Sequence, residues 1–570
     1  MTERRGNQGF TVAPQRLGEE RGGPGRARLR RIGFALVLAV AAATFTIGWL
    51  GPRLSDRPNL EISYFATATP GPSASASATP TPFSTAIATP LPSITRPDGP
   101  VPSGQVAIVT DDFHLLDLAT GQISTGPPAM FWRDAIFGAA TGDGWICICL
   151  GDAVDQGASS VPIRIVGIGS TGTATDSSDV AVLRNSSVNG QPTLTTDIDM
   201  FDGGRRGLLA VANRNGESWQ FTVSSIDVAG RRLGSSVPLG KVAAPPPRPV
   251  PSPRPSLDPS IPDQDELYLD GPHLRVAPDG RVAFVWGTFQ RFNPSNGDQP
   301  VTKVHAWRVA LGADGRIEKV TAAPGLLTLP PYCSLIAFAS VDRLAWLCPY
   351  QADPAAGFEG TWQFGALDLD GRRAGTTELK LGMDGYVGQP LFDRANGMAY
   401  LWDATGLSIA RFDVHAMTAE QIRFDPLARS STGLAAAGGS APVDWHGVDS
   451  AVRQNAFTNI AGGLNGDYLF GIGFDPVSTT DSGSLPSRGI FVIDRATLAL
   501  VSRWAPAANY LAVTALPGGL VAAAGMPGIE ADGQSAPWES SLTIYDEVDG
   551  RIVVRFGQLG NDNPPLVIDR

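Results

Sequence analysis

Aromatic and acidic side chains gather in several long polar stretches between apolar runs. Aromatic rings stack on sugars and peptides, and carboxylates accept the hydrogen bonds that such ligands donate. The combination predicts a ligand-binding surface. The candidate residues are Trp132, Phe292, Asp298, Trp445, His446, Asp449, Trp538 and Glu539. The alternative is that aromatic residues in these stretches, such as Phe289, only pin long loops to the fold.

No residue pattern typical of an enzyme stands out. "DWHGVDS" (444–450) contains acid and base groups, but such a cluster is more typical of hydrogen bonding within a loop. The five histidines are scattered, and neither a nucleophile elbow nor a phosphate-binding loop occurs. "DIDMFDGG" (197–204) has the carboxylates of a calcium loop without its closing glutamate, which favours a turn. The sequence predicts no catalytic residue and no metal site, and it leaves any cofactor unknown.

The four cysteines form two pairs with different predicted states. Cys333 and Cys348 occupy near-mirror positions on the arms of one β-hairpin, within disulfide reach of each other. We expect that bond outside the cytoplasm. Cys147 and Cys149 lie two apart on one strand, about 7 Å between Cα atoms, which is too far for an unstrained bridge. They are interpreted as buried thiols or as a local bridge formed by bending the strand.

Two kinds of β-hairpin alternate along the chain and would position these residues. The first kind places a tight turn between two apolar runs, and its seven copies lie at 136–149, 198–212, 274–285, 336–348, 390–402, 459–473 and 511–525. The second kind turns after a strand that ends in Asp or Gly, and its eight copies lie at 114–124, 165–175, 224–234, 307–320, 365–375, 410–424, 491–504 and 543–556. Two hairpins give the four antiparallel strands of a β-propeller blade.

These hairpins resemble the repeats of WD40-like and YVTN-like propeller families, including bacterial membrane-anchored propeller proteins. "VAPDGRVAFV" is similar to their inner hairpin and "IFVIDRATLALVSRW" to their outer one. The resemblance covers about 104–570 and implies an all-β propeller, but it says little about function. The first blade lacks an innermost strand, which the C-terminal "PPLVIDR" can supply, so that the ring closes. We therefore predict eight blades, with seven as the alternative.

Long insertions are predicted on one face of this ring. The connections within the two kinds of hairpin share a face and are nearly all tight. The other connections share the opposite face and hold the insertions, which usually mark the working surface of a repeat protein. They lie at 150–161, 244–271, 288–302, 350–361, 425–456, 474–489 and 525–541.

The N-terminal part predicts a membrane anchor. Residues 32–50 are uncharged and long enough to span a bilayer, and the arginine-rich residues 1–31 before them place the N-terminus in the cytoplasm. A cleaved signal peptide with a site within 39–43 is the alternative. Residues 51–103, rich in Pro, Ser, Thr and Ala, form a linker that cannot build a core. We thus expect a single-pass plasma-membrane protein with an extracytoplasmic propeller at 104–570.

The net charge and the predicted architecture limit the classes of function that are plausible for this chain. The net charge of −11 argues against a nucleic-acid partner, because phosphate contacts need clustered lysine and arginine. We expect a binding or scaffold module for a cell-wall polymer or an exported protein. The alternative is a propeller enzyme, a hydrolase or lyase on sugars, lactones or peptides, that uses carboxylates at the mouth of the channel.

Overall fold

The computed structural model describes strands and short turns between Ile94 and Ile568, all within the unit Pro58–Arg570. Residues 1–93 and a number of connections lie outside the described residues. The longer of these connections are 129–135, 151–159, 246–265, 293–300, 350–360, 381–388, 425–444, 447–458, 475–486, 526–540 and 557–565. Within the described part, no helix has the length and apolar character needed to cross a membrane. The predicted anchor at 32–50 lies outside that part.

The described elements are strands, apart from a 3₁₀ turn at Leu326–Thr328. The strands of the first half are β1 (Ile94–Thr95), β2 (Gln105–Val109), β3 (Asp112–Asp117), β4 (Ile123–Pro128), β5 (Ile136–Ala139), β6 (Trp145–Leu150), β7 (Ser160–Ile168), β8 (Ala174–Arg184), β9 (Ser187–Val188), β10 (Gln191–Pro192), β11 (Leu194–Phe201), β12 (Arg206–Asn215), β13 (Ser218–Asp227), β14 (Arg232–Leu233), β15 (Val237–Ala243), β16 (Glu266–Val276), β17 (Val282–Phe292), β18 (Val301–Leu311) and β19 (Ile317–Ala322).

The second half continues the same alternation. Its strands are β20 (Ile336–Ser340), β21 (Arg343–Pro349), β22 (Thr361–Leu367), β23 (Arg373–Lys380), β24 (Leu391–Asp393), β25 (Met398–Asp403), β26 (Ser408–Asp413), β27 (Thr418–Arg423), β28 (Trp445–His446), β29 (Ile460–Gly462), β30 (Tyr468–Phe474), β31 (Ser487–Asp494), β32 (Leu500–Trp504), β33 (Tyr510–Leu516), β34 (Leu520–Gly525), β35 (Ser541–Asp546), β36 (Ile552–Phe556) and β37 (Leu566–Ile568).

These strands form eight antiparallel sheets of four or five strands in the described part, besides the isolated pair β9–β10. We call the sheets blades and number them along the chain. Blade 1 has the order β37-β2-β3-β4, and blades 2 to 8 are built around β5–β8, β11–β15, β16–β19, β20–β23, β24–β27, β29–β32 and β33–β36. Both kinds of predicted hairpin are confirmed, and the arrangement is consistent with a β-propeller.

The C-terminal strand completes blade 1, as predicted. β37 pairs antiparallel with β2, with Ala107 opposite Ile568 and Val109 opposite Leu566. The last strand of the chain is therefore the innermost strand of the first blade. This pairing joins the two ends of the repeat and covers an edge that would otherwise be open.

The hydrophobic core lies between neighbouring blades rather than in one central mass. Phe221 of blade 3 and Val285 of blade 4 belong to one buried cluster, and Phe284 of blade 4 and Trp346 of blade 5 belong to the next. Further clusters join blades 2 and 3, 5 and 6, 6 to 8, and 8 and 1. Strands with both faces buried explain why the apolar runs are nearly continuous rather than alternating.

Aspartates at the ends of the third strands shape the outer hairpin turns. In each, the carboxylate accepts a hydrogen bond from a backbone N–H two to four residues further on, which stabilises a tight turn. These residues are Asp117, Asp227, Asp368, Asp413, Asp494 and Asp546. The recurrent Asp that marked the second hairpin in the sequence is thus a turn-forming residue.

Arginines tie each of several turns to the preceding blade. Arg206 of blade 3 donates to the Ala313 carbonyl in the turn of blade 4 over 2.6 Å. Arg308 of blade 4 donates to Leu369 in blade 5, and Arg411 of blade 6 donates to the Arg495 carbonyl in blade 7 over 2.8 Å. The same contact at three junctions indicates one repeated way of packing blades.

The predicted disulfide is confirmed. Cys333 and Cys348 are bonded, with their Cα atoms 5.3 Å apart, and both are buried between blades 4 and 5. The bond fastens the segment before β20 to the end of β21. Cys147 and Cys149 lie on β6, but their side chains are outside the described residues.

Candidate functional site

The strand ends define two faces of the sheet assembly. The turn face carries the connections inside the two hairpins, such as 277–281 and 312–316. The loop face carries the connections between the second and third strands of each blade. Long connections leave from this face after Leu150, Phe292, Pro349, Phe474 and Gly525. Four of these insertions begin within one residue of the predicted position, and that of blade 4 begins later.

Most of the predicted binding residues stay untested by the structure. Those outside the described residues are Trp132, Asp298, Asp449, Trp538 and Glu539. Phe292 is the last residue of β17, at the loop face, and its side chain is not described. Trp445 and His446 form β28, again with only the backbone described. Trp445 and His446 are adjacent on β28, and whether the predicted set comes together is not tested in the described part.

Phe289 is a core residue rather than part of a loop. β17 continues to Phe292, so the connection is shorter than the predicted 288–302. The Phe289 ring is 1% exposed and packs edge-on against Phe221, 5.7 Å between ring centroids. His305 also meets Phe289 edge-on, and burial followed by the charge of Lys303 lowers the pKa of His305 to about 4. This part of the loop-face end of blades 3 and 4 is therefore packed interior.

The innermost strand of a blade, such as β16 or β20, has a partner strand on one side only. Such an edge leaves N–H and C=O groups to be satisfied by other means. In blade 4, Asp197 of blade 3 accepts from the Leu274 N–H over 2.6 Å, and Asp199 accepts from the Val276 N–H over 2.7 Å. Both the carboxylates and the amides are two residues apart, which is the repeat of a strand. Asp197 and Asp199, predicted to belong to a turn, instead lie in β11 and bind β16.

In blade 5, arginines donate hydrogen bonds to carbonyl groups of the innermost strand, β20. The Arg275 guanidinium of blade 4 donates to the Ile336 carbonyl over 3.1 Å, and that of Arg394 in blade 6 donates to the Phe338 carbonyl over 3.0 Å. Arg275 also lies 3.2 Å from Asp197. Both arginines are more than nine-tenths buried. Their charges hold neighbouring innermost strands together across three blades.

A buried ion pair fixes the turn of the inner hairpin of blade 6. The Asp393 carboxylate is fully buried, and Arg495 of blade 7 donates to it over 2.7 Å. Asn396 donates to the same carboxylate through both its backbone and its side chain. A charge-assisted bond of this kind, with extra donors, is the arrangement in which a buried carboxylate is stable.

Blade 6 has a different cover on its inner edge. β28 pairs antiparallel with β24, with Phe392 opposite His446 and Asp393 opposite Trp445. The sheet order is β27-β26-β25-β24-β28, so the added strand lies inside the innermost strand of the blade. In the described part, side chains of neighbouring blades form hydrogen bonds with the inner edges of blades 4 and 5, whereas a strand pairs with the inner edge of blade 6.

We call the innermost strands of blades 4 to 6, with the charged side chains that bind them, the inner wall. Its charged groups fix the positions of neighbouring blades. The carboxylates and guanidinium groups named above bind backbone groups of neighbouring blades. Oδ1 of Asp270 and Nε2 of His273 lie 3.2 Å apart, beside the Trp286 ring. In the described part no group of three His, Cys, Asp or Glu side chains is arranged to hold a metal ion.

Another buried carboxylate lies on the turn face between blades 7 and 8. Glu547 is 1% exposed, and burial, with further contributions from the charges of Asp467 and Asp546, raises its pKa to about 7. Gly463 leaves the space for it, because a Cβ at that position would stand 2.1 Å from a Glu547 carboxylate oxygen.

Replacing Glu547 by Gln should stabilise the protein at pH 8 but not at pH 4. Since the folded pKa lies above the unfolded one, the wild-type free energy of unfolding falls as the pH rises from about 4.5 to 7, by about 3 kcal/mol in all. Glutamine removes that loss. Urea titrations at both pH values measure the difference, with the exposed Glu318→Gln as the matched control. Equal effects of Glu547→Gln at the two pH values would contradict the raised pKa.

Sequence reasoning missed the inner wall almost entirely. Arg275, Asp393 and Arg394 were not singled out, and Asp197 and Asp199 were assigned to a turn. A signal was present, because Asp-x-Asp alternates with apolar residues before a turn, and a single arginine lies close to the apolar residues of "HLRVAPDG" and "LFDRANG". Charges inside a buried strand need partners, which predicts contacts to a neighbouring element.

Comparison with known proteins yields likeness of fold only. No family model and no curated protein matches the sequence. Similar solved structures include a Lactobacillus plantarum protein, at 12% identity over 82% of this chain and 99% of that one, with a TM-score of 0.33. Apo prolyl oligopeptidase B from Galerina marginata matches at 11% identity over 75% of this chain and 52% of its own, with a TM-score of 0.33. The Neurospora crassa Pan2 WD40 domain matches at 8% identity over 64% and 89%, with a TM-score of 0.28.

The chain spans about half the length of the prolyl oligopeptidases it matches. At these identities and TM-scores the likenesses carry no information about what this chain binds or does.

Proposed function

We propose that the chain is an eight-bladed β-propeller whose loop face binds a ligand. It acts outside the cytoplasm as a binding or scaffold module for a cell-wall polymer or an exported protein. The observation that carries this proposal is the one-sided placement of the long connections. Those of blades 2, 4, 5, 7 and 8 all leave from the loop-face ends of their second strands.

The use of charge supports the same proposal. Buried or partly buried carboxylates and arginines of blades 3 to 6 bind backbone groups across blade junctions, so they stabilise the packing of the blades. Turn-face aspartates serve the turns. The aromatic and acidic residues of the long connections are thus the groups that we expect to bind the ligand.

The proposal includes membrane attachment through residues 32–50, with residues 51–103 as the spacer. The arginine-rich start of the sequence supports it, and so does the Cys333–Cys348 bond, which is typical of oxidising compartments. The chain should stay in the membrane pellet after alkaline carbonate extraction. Release into the supernatant would contradict the anchor.

A thermal-shift screen of the detergent-purified full chain tests the binding role. Wall glycans and a peptide panel are the probes, because a ligand of the folded state raises the melting temperature. We expect a shift with wild type and with the control Val341→Ala, whose exposed side chain lies in a turn-face turn. The shift should be lost in Trp132→Ala and Trp538→Ala. Retention in both tryptophan variants, or cleavage of the probe, would overturn the proposal.

A further inference from the structure

The inner edge of blade 6 points to a binding mode for a partner protein. We infer that β24 accepts an extended peptide of the partner as an added β-strand, and that β28 occupies this position in the unbound chain. The inference rests on the proposed function, because it assigns the exported-protein partner a docking site. The partner is an extended segment with an aromatic residue and no proline at the positions that pair with β24.

The first support is that strand addition already occurs here. β28 pairs with β24 through Phe392–His446 and Asp393–Trp445. A backbone edge recognises any extended chain through its main-chain groups, which is the basis of recognition by β-strand addition. The chain's own segment therefore shows that the edge is open to a strand of this direction.

The second support is the contrast with neighbouring blades. Asp197 and Asp199 accept from amides of β16, and Arg275 and Arg394 donate to carbonyls of β20. These side chains stand where an incoming strand would have to pair. In the described part, β24 is the inner edge covered by a strand alone.

The third support is the small size of the occupant. Its ladder comprises two residue pairs, and each hydrogen bond contributes about 1 kcal/mol net. A longer peptide can form more bonds and displace it. β24 runs towards the turn face, so the antiparallel β28 runs towards the loop face, which leaves the site continuous with the proposed binding surface.

Rigid walls complete the site. Asp393 is fixed by Arg495 and Asn396, and Arg394 by the Phe338 carbonyl. Phe392 is fully buried. The edge is therefore pre-organised, and an aromatic residue opposite Asp393 repeats what the chain itself places there. Pre-organisation reduces the ordering cost of binding.

Peptide binding to the full chain tests the inference. The probe is a fluorescent peptide with the sequence of residues 440–450, SAPVDWHGVDS. His446→Pro removes a backbone N–H and disfavours β28, whereas the matched His446→Ala keeps the backbone. We expect anisotropy titrations to give at least about tenfold tighter binding to His446→Pro, because the edge is no longer occupied. A peptide N-methylated at its Trp and His should not bind.

A second variant guards against misfolding of His446→Pro. Replacing residues 440–450 with eleven Gly and Ser residues removes the occupant without a proline and should bind the probe equally tightly. The inference would be overturned if the probe bound the wild type and His446→Ala as tightly as the two variants that lack β28. Unchanged binding of the N-methylated peptide would overturn it as well. Trp132 and Trp538 are unchanged in these experiments, so the inference can fail while the loop-face result stands, and the reverse.

Discussion

Deleting residues 565–570 is expected to lower the melting temperature by roughly 3 °C. The deletion removes β37, and with it the three-residue ladder to β2 that joins the ends of the repeat. At about 1 kcal/mol for each lost pair, the loss is about 3 kcal/mol. An unfolding entropy of about 2.1 cal/mol/K per residue makes each kcal/mol correspond to about 1 °C in a domain of this length. Differential scanning calorimetry of the full and truncated chains measures it.

The matched control is the short outer strand β1. Ile94 and Thr95 pair with Phe556 and Arg555 at the outer edge of blade 8, where no ring closure depends on them. Changing both to Gly should shift the melting temperature by less than about 1 °C. Adding a peptide of residues 564–570 to the truncated chain should restore part of the loss. An unchanged melting temperature after truncation would show that the ends are not joined through β37.

Asp393→Ala is expected to destabilise the protein by about 3–5 kcal/mol. The change leaves the Arg495 guanidinium, one-fifth exposed, without its carboxylate, and removes the acceptor of both Asn396 bonds. Breaking one side of a buried pair is costly because the remaining charge stays desolvated. Chemical denaturation with guanidinium chloride gives the difference.

The matched control is Asp370→Ala. Asp370 also faces an arginine across a blade junction, 3.8 Å from Arg308, but its side chain is 70% exposed. Exposed pairs contribute about 0–1 kcal/mol. Similar losses for the two variants would mean that burial of Asp393 has no energetic consequence, which would contradict the account of the blade 6 turn.

Local features were predictable from the sequence because their causes are local. A tight turn between apolar runs specifies a hairpin, and Asp494 forms its turn with Thr497, three residues away. Cys333 and Cys348 could be paired because one hairpin brings them together. The closing strand followed from counting strands and from the cost of an open edge.

The inner wall was not predictable because its causes are distant. Asp197 meets Leu274 across 77 positions, and Arg394 meets Phe338 across 56. A sequence shows that a charge lies in an apolar strand, but only the packing of blades shows which backbone group receives it. Phe289 was wrongly assigned to a loop for a related reason. The polar residues Thr288, Gln290 and Arg291 around it are typical of a loop in the sequence, although they belong to β17.

Amide hydrogen exchange at Leu274 and Val276 tests the central claim, that inner-strand charges hold the blades together and leave the loop face for recognition. Neither amide bonds to β17; that of Leu274 donates to the partly buried Asp197 carboxylate and that of Val276 to the buried Asp199 carboxylate. We predict slow exchange of Val276 in the full chain and exchange at least about a hundredfold faster in Asp199→Ala, with unchanged protection on β34 as the control. Fast exchange of Val276 in the wild type would contradict the account.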